Sequence, residues 1–268
     1  MAETQPEALA KKVVANPKYQ TITPNLVLSL SQEAVKNGLK GKPAVKYVRN
    51  KLHQVGGAYF KQKLNYTTAK ANLARLPHDL QSDEVKSFCH KIMQVHASTA
   101  ERLPILEEFF QTCLAPIAPI TSILDLACGM NPLALPWMPL AENPQYHACD
   151  IYLDILDLIN AFFRHVDQAG CTKPCDLVSS IPSSKTQVAF LLKSIPCLEQ
   201  LDKSVAKRLL EGIPADHILV SFPVHSLGGR GKGMQTFYRE HFNDLIIGHS
   251  WQVEEFSFST ELAFLVSK

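Results

Sequence analysis

From residue 122 to the end, short apolar runs alternate with stretches of helical periodicity. This alternation constrains the fold more than any other feature of the 268-residue chain. Runs at 122–127, 146–150, 176–178, 187–192 and 217–222 read as strands, the third being the weakest. Helical patterns fill 151–165, 198–210 and 235–245. The runs at 251–258 and 261–266 follow one another with almost nothing between them, so they close the chain as a hairpin. Such β–α alternation predicts a mostly parallel, doubly wound sheet, because helical crossovers cover both of its faces. The expected fold class is α/β: a seven-stranded Rossmann-like sheet whose last hairpin is antiparallel.

The first hundred residues lack this alternation and read as helices. An apolar face runs through 24–30, and Val45, Val48 and Leu52 recur at helical spacing until Gly56 and Gly57 interrupt it. Ser82 is placed to cap a helix over 82–95. Ser98 and Glu101 match a capping box that would open a helix towards Cys113, before Pro116 and Pro119 break the chain. The expected organisation is an N-terminal helical extension over 1–97 and an α/β domain over 98–268.

Charge divides the chain in the same way. Residues 1–100 hold 15 Lys and Arg against 6 Asp and Glu, whereas 101–268 hold 12 against 19. Between Ala34 and His78 there are ten basic residues and no acidic one. A positive N-terminal part on a chain of net charge +2 points to a polyanion partner, nucleic acid first, or else to a solvated basic surface. No run of 18 apolar residues appears and the start has no secretory pattern, so a cytoplasmic protein without membrane contact is expected. Of seven cysteines only Cys171 and Cys175 sit close together, which argues for reduced thiols and against a zinc site. No coiled-coil heptads appear, and a monomer is expected.

The first strand runs into Asp125-Leu-Ala-Cys-Gly129, and the second ends on Asp150. Glycine in the turn lets a ligand approach the backbone, and an acid ending the next strand suits a ribose diol. A single glycine does not make a dinucleotide fingerprint. The loop therefore suits S-adenosyl-L-methionine, which has no pyrophosphate, or is an ordinary βα turn with an acidic cap.

Five stretches carry a more specific signal. They are residues 51–60 (KLHQVGGAYF), 96–103 (HASTAERL), 125–134 (DLACGMNPLA), 192–199 (LKSIPCLE) and 221–234 (SFPVHSLGGRGKGM). They resemble the aminoglycoside-resistance 16S rRNA (guanine-1405-N7) methyltransferases, the Arm family, over roughly residues 45–268. The resemblance implies a class I methyltransferase sheet and methyl transfer from S-adenosyl-L-methionine, leaving S-adenosyl-L-homocysteine. The target would be N7 of guanine-1405 in 16S rRNA of the assembled 30S subunit.

It further implies that Tyr59, His96, Ala97, Ser98 and Arg102 line the cofactor pocket, with Arg102 on the methionine carboxylate. Gly129 would lie under the methionine, Asp150 at the ribose with Ile151 beside the adenine, Asp176 and Leu177 at the adenine amino group, and Leu192 and Gln200 on the wall. Lys193 would position the target guanosine. Guanine N7 already carries a free lone pair, so neither a base nor a cysteine nucleophile is needed, and positioning suffices. His225, Arg230 and Lys232 of the Gly-rich loop are candidate RNA contacts, with Lys46, Arg49, Lys51, Lys61 and Lys63; Lys40, Lys42 and Lys70 extend the basic surface. Two residues depart from the family pattern. Ala100 and His225 stand where basic residues are common, which puts two RNA contacts in doubt. Competing readings are a methyltransferase acting on another rRNA position or a small molecule, and a non-catalytic RNA-binding protein of the same fold.

Overall fold

The computed structural model describes residues 3–57, 64–225 and 233–268. The N-terminal part is helical: α1 (Gln5–Val14), α2 (Pro24–Lys36), α3 (Gly41–Leu52), α4 (Tyr66–Leu73) and α5 (Asp83–Met93). Local chemistry starts these helices. Thr4 and Glu7 form a reciprocal capping box on α1, and the Ser82 hydroxyl accepts from Val85 N at 3.3 Å to begin α5. The 98–101 capping box does not form. Helix α6 (Ala97–Arg102) begins one residue earlier, and the Thr99 hydroxyl bonds back to Met93 O at 2.8 Å. Pro104 lacks an N–H to continue it, so a 3-10 turn leads into α7 (Leu106–Leu114).

Seven strands follow: β1 (Ile120–Leu126), β2 (Leu140–Asp150), β3 (Gly170–Pro174), β4 (Thr186–Leu192), β5 (Ala215–Pro223), β6 (Gln252–Ser257) and β7 (Glu261–Ser267). Their order is β3-β2-β1-β4-β5-β7-β6, parallel through β5, with β7 antiparallel to both its neighbours. Helices α8 (Leu153–His165), α9 (Ile195–Leu198), α10 (Val205–Gly212) and α11 (Met234–Ile246) complete the layers.

The inner strands β1, β4, β5 and β7 are buried on both faces, and successive residues serve opposite cores. In β4, Val188, Phe190 and Leu192 join one apolar cluster, while Ala189 and Leu191 join the other. All the N-terminal helices contribute to the first cluster, so its apolar packing is continuous from Leu9 to the sheet. Thr23 N donates to Ile151 O and Leu153 N to Thr21 O, fastening the start of α2 to the end of β2.

Two elements differ from expectation. The third strand is 170–174, not 176–178. It is an edge strand with a mostly solvated surface and so carries no apolar run. Its pairing begins at Gly170, where an added Cβ would lie 2.0 Å from Tyr146 O. Residues 176–180 turn instead, because the Asp176 carboxylate accepts from Val178 N and the Ser179 hydroxyl. The helix expected over 198–210 breaks at Asp202, whose carboxylate takes Ser204 N at 2.9 Å, leaving α9 and α10 as separate pieces.

Candidate active site

A cavity opens at the carboxyl ends of β1, β2 and β4, where ligands of open α/β sheets bind. Gly129 lines it after β1, Asp150 and Ile151 after β2, Asp176 and Leu177 after β3, and Leu192 and Lys193 at the end of β4. His96 and Ser98, at the start of α6, form the near wall. Gly129 has φ +50 and an added Cβ would stand 3.0 Å from the His96 ring, so a side chain here would close the passage between them.

The two cavity acids are held by backbone. Asp150 accepts Gly129 N at 2.8 Å on one oxygen, and Ile151 N and Tyr152 N at 2.7 and 3.1 Å on the other. Burial nevertheless lifts its carboxyl above the ordinary range. Asp176 is oriented by its own turn. Both keep carboxylate lone pairs beyond those engaged and face a largely apolar wall, a combination that suits a nucleoside with an adjoining cationic group.

Behind the cavity lies a buried ionic cluster. Glu261, fully buried on β7, receives Arg102 Nε at 3.0 Å and Nη2 at 2.5 Å, the Ser221 hydroxyl at 2.5 Å and Lys193 Nζ at 3.2 Å. Burial disfavours its charge, but the Arg102 and Lys193 cations outweigh that and hold the carboxyl below its usual value. Lys193 Nζ also reaches Glu101 at 3.1 Å and Ser98 O at 3.2 Å, so its three donors are matched. Its backbone sits at φ +55, a strained conformation for a lysine, held by bonds from its N–H to Ser221. The two cations also act on His96. Burial first, then Lys193 and Arg102, push its imidazole down to about 4, so it is neutral at pH 7.

Three residues expected at the pocket lie elsewhere. Arg102 is 1% exposed; its third nitrogen donates to Asn131 at 2.9 Å and its plane lies over Phe109, so it does not reach the cavity. Glu261 captures it because an unpaired carboxylate at that depth would be costly. Ala97 is buried between His96 and Ser98, since successive helical side chains point about 100° apart, and it turns into the core. Gln200 is exposed, and the break after α9 leaves Leu198 and Leu201 as the wall instead. Asp125 likewise does not line the cavity. It accepts Tyr146 OH at 2.6 Å and Asn131 Nδ2 at 2.9 Å, and burial raises its carboxyl to about 7.

Of the expected RNA contacts, Lys46 and His225 are exposed, as are Lys40 and Lys42. Arg49 and Lys51 are instead partly spent within the fold. Arg49 donates to Lys12 O at 3.2 Å, and Lys51 to Gln200 O at 2.9 Å. Lys70 pairs with Asp157. Tyr59, Lys61, Lys63, Arg230 and Lys232 lie outside the described residues. Sequence reasoning missed Leu26, Val55 and Gly56, which bring the N-terminal helices to the cavity wall, and Tyr152, Ile155 and Cys175. The 24–30 apolar face signalled burial of Leu26 but not against what. Among the described residues no group of metal-ligating side chains stands together, and no helix is long and apolar enough to cross a membrane.

The strand order, the closing antiparallel hairpin and the cavity at the strand ends are those of a class I methyltransferase. More particularly, the chain belongs to the family described as Ribosomal RNA methyltransferase (FmrO), whose profile matches residues 15–265. It is 30% identical over 264 residues to a 16S rRNA (guanine(1405)-N(7))-methyltransferase of Micromonospora rosea, covering 98% of this chain and 96% of the relative. Its structure is similar to that of the 16S rRNA methyltransferase RmtF in complex with S-adenosyl-L-homocysteine (TM-score 0.84, 31% identity, all of both chains). It is also similar to that of the 16S rRNA methylase RmtB (TM-score 0.82, 25% identity, all of both chains).

Proposed function

We propose that this protein methylates N7 of guanine-1405 in 16S rRNA of the assembled 30S subunit, acting as a cytoplasmic monomer and conferring aminoglycoside resistance. The observation that carries this reading is the placement of Asp150, Asp176 and Gly129 around one apolar cavity in a chain of the FmrO family. S-adenosyl-L-methionine supplies an electrophilic methyl group on a sulfonium and leaves as S-adenosyl-L-homocysteine. Asp150 would hold the ribose hydroxyls, Asp176 the adenine amino group, and Ile151, Leu177 and Leu192 the ring faces. Gly129 and neutral His96 would leave room for the methionine portion without adding a cation beside the sulfonium.

The chain's own work is positioning and exclusion of water. Lys193 would orient the guanosine at the cavity mouth. Its ammonium is tied to Glu101, the more exposed of its two carboxylate partners, and that is the bond guanine O6 would approach. Residues 1–97 would serve as the RNA-binding extension, with Lys40, Lys42 and Lys46 on phosphates, and His225, Arg230 and Lys232 of the Gly-rich loop would add further RNA contacts.

The test is reverse-transcription mapping of 16S rRNA after borohydride and aniline treatment, from cells expressing this chain. A stop at guanine-1405 that vanishes with Asp150→Ala supports target and atom together. An unmodified site, with S-adenosylmethionine still bound by the purified protein, overturns the assignment and leaves a methyltransferase of other target.

A further inference from the structure

Two neighbouring strand ends carry the same dipeptide. Strand β2 ends in Cys149-Asp150, and the chain leaving β3 runs through Cys175-Asp176, with Cys175 N donating to Asp150 O at 3.0 Å. The carboxylates line the main cavity and the two thiols pack into one apolar cluster beside them. Both cysteines also line a second groove on this side of β2 and β3, together with Cys171 and Lys173. That groove exists because no helix covers the β3–β4 crossover. Cys175 is partly exposed and opens to both spaces, whereas Cys149 is 3% exposed.

We propose that Cys149 and Cys175 are a thiol modification site whose oxidation by a peroxide to a disulfide disables the adjoining nucleoside cavity. The pair divides the roles that such chemistry needs. The neighbouring Cys149 thiol favours the thiolate of Cys175 and depresses its pKa, while that same contact and burial keep Cys149 protonated. The Cys175 thiolate attacks one peroxide oxygen, the O–O bond breaks, and the departing hydroxide takes a proton to leave as water. The product is a sulfenic acid. The Cys149 thiol then attacks that sulfur, the S–O bond breaks, and its proton leaves with the oxygen as a second water. Two thiols and one peroxide thus become one disulfide and two waters, and a dithiol reductant reverses the change.

The effect on the cavity follows from geometry. A disulfide draws two sulfurs from non-bonded contact to about 2.05 Å, and Asp150 and Asp176 are the residues that follow them in the chain. Binding constellations tolerate displacements of about 0.5 Å, and closing the bond pulls on the backbone that carries both carboxylates. This consequence rests on the cofactor reading above. The thiol chemistry does not.

The experiment uses the full-length protein, reduced or treated with hydrogen peroxide, with S-adenosyl-L-homocysteine binding measured by calorimetry and linked peptides by mass spectrometry. The expected result is a Cys149–Cys175 linked peptide, binding weakened by about tenfold or more, and recovery with dithiothreitol. A Cys171→Ser variant should behave identically. No linked peptide, a link from Cys175 to Cys171, or a Cys149–Cys175 link with unchanged affinity each overturns the proposal. If the reduced protein does not bind S-adenosyl-L-homocysteine, the cofactor reading fails, while the linked peptide still decides whether the thiols close.

Discussion

His96 follows α5 and faces a cavity, Gly129 and, more distantly, the Lys193 and Arg102 cations, and these surroundings decide its charge more than its identity does. Burial and the two cations lower its pKa from 6.5 to about 4. A group with a depressed folded-state pKa contributes stability that is present above its unfolded pKa and lost as pH falls through the folded value. His96 should therefore make the protein lose stability between pH 6.5 and about 4. A His96→Gln variant should show a shallower acid limb in urea midpoints measured across that window, and an unchanged slope would show that the imidazole is free to protonate in the fold. The strand-end position pointed to Asp150, and the family resemblance to His96, Ser98 and Asp176, all of which line the cavity. The resemblance also set Arg102, Ala97 and Gln200 at the pocket, and they stand off its lining, because a shared motif says that a residue is near a site and not which way its side chain turns.

Between elements, Glu261 is the joint. It sits at the first position of β7 and gathers Arg102 from α6, Lys193 from the end of β4 and Ser221 from β5. In a low-dielectric interior such a cluster is sound only when complete. Glu261→Gln keeps the volume and removes the charge, leaving two buried cations with less than their share of acceptors. Unfolding by urea should show a loss of about 3–5 kcal/mol; a loss below about 1 kcal/mol would mean that water or Glu101 takes over the compensation. The elements themselves were mostly legible: β1, β2, β4, β5 and the closing hairpin each carry an apolar run. The third strand was not, because an edge strand needs no apolar residues, and the Leu177-Val178 pair that mimicked one is bent by Asp176.

Over the whole molecule, basic residues concentrate in the N-terminal third and acidic ones beyond it, while apolar packing runs without interruption between the two parts. Electrostatic association with RNA should follow, with an observed binding constant that falls steeply as salt rises. Replacing Lys40, Lys42 and Lys46 together by Ala should reduce the slope of log K against log salt by roughly one for each phosphate no longer neutralised. S-adenosylhomocysteine affinity should stay unchanged, because none of the three lines the cavity. An unaltered slope would move the RNA surface elsewhere.

Hydrophobic periodicity is a local property, so the alternation of strands and helices apart from the third strand and the 198–210 break, the antiparallel ending and the position of the cavity at the strand ends were legible in the sequence alone, as was the basic charge of the N-terminal third. Partnership is not local. Arg102 and Glu261 are 159 residues apart, and Lys193 meets Ser98 and Glu101 from 95 and 92 residues away. Only the folded chain decides which carboxylate a buried guanidinium meets, which side of a loop faces a cavity, and that two Cys-Asp pairs end side by side. Those outcomes depend on distances set by packing two layers of helices onto one twisted sheet.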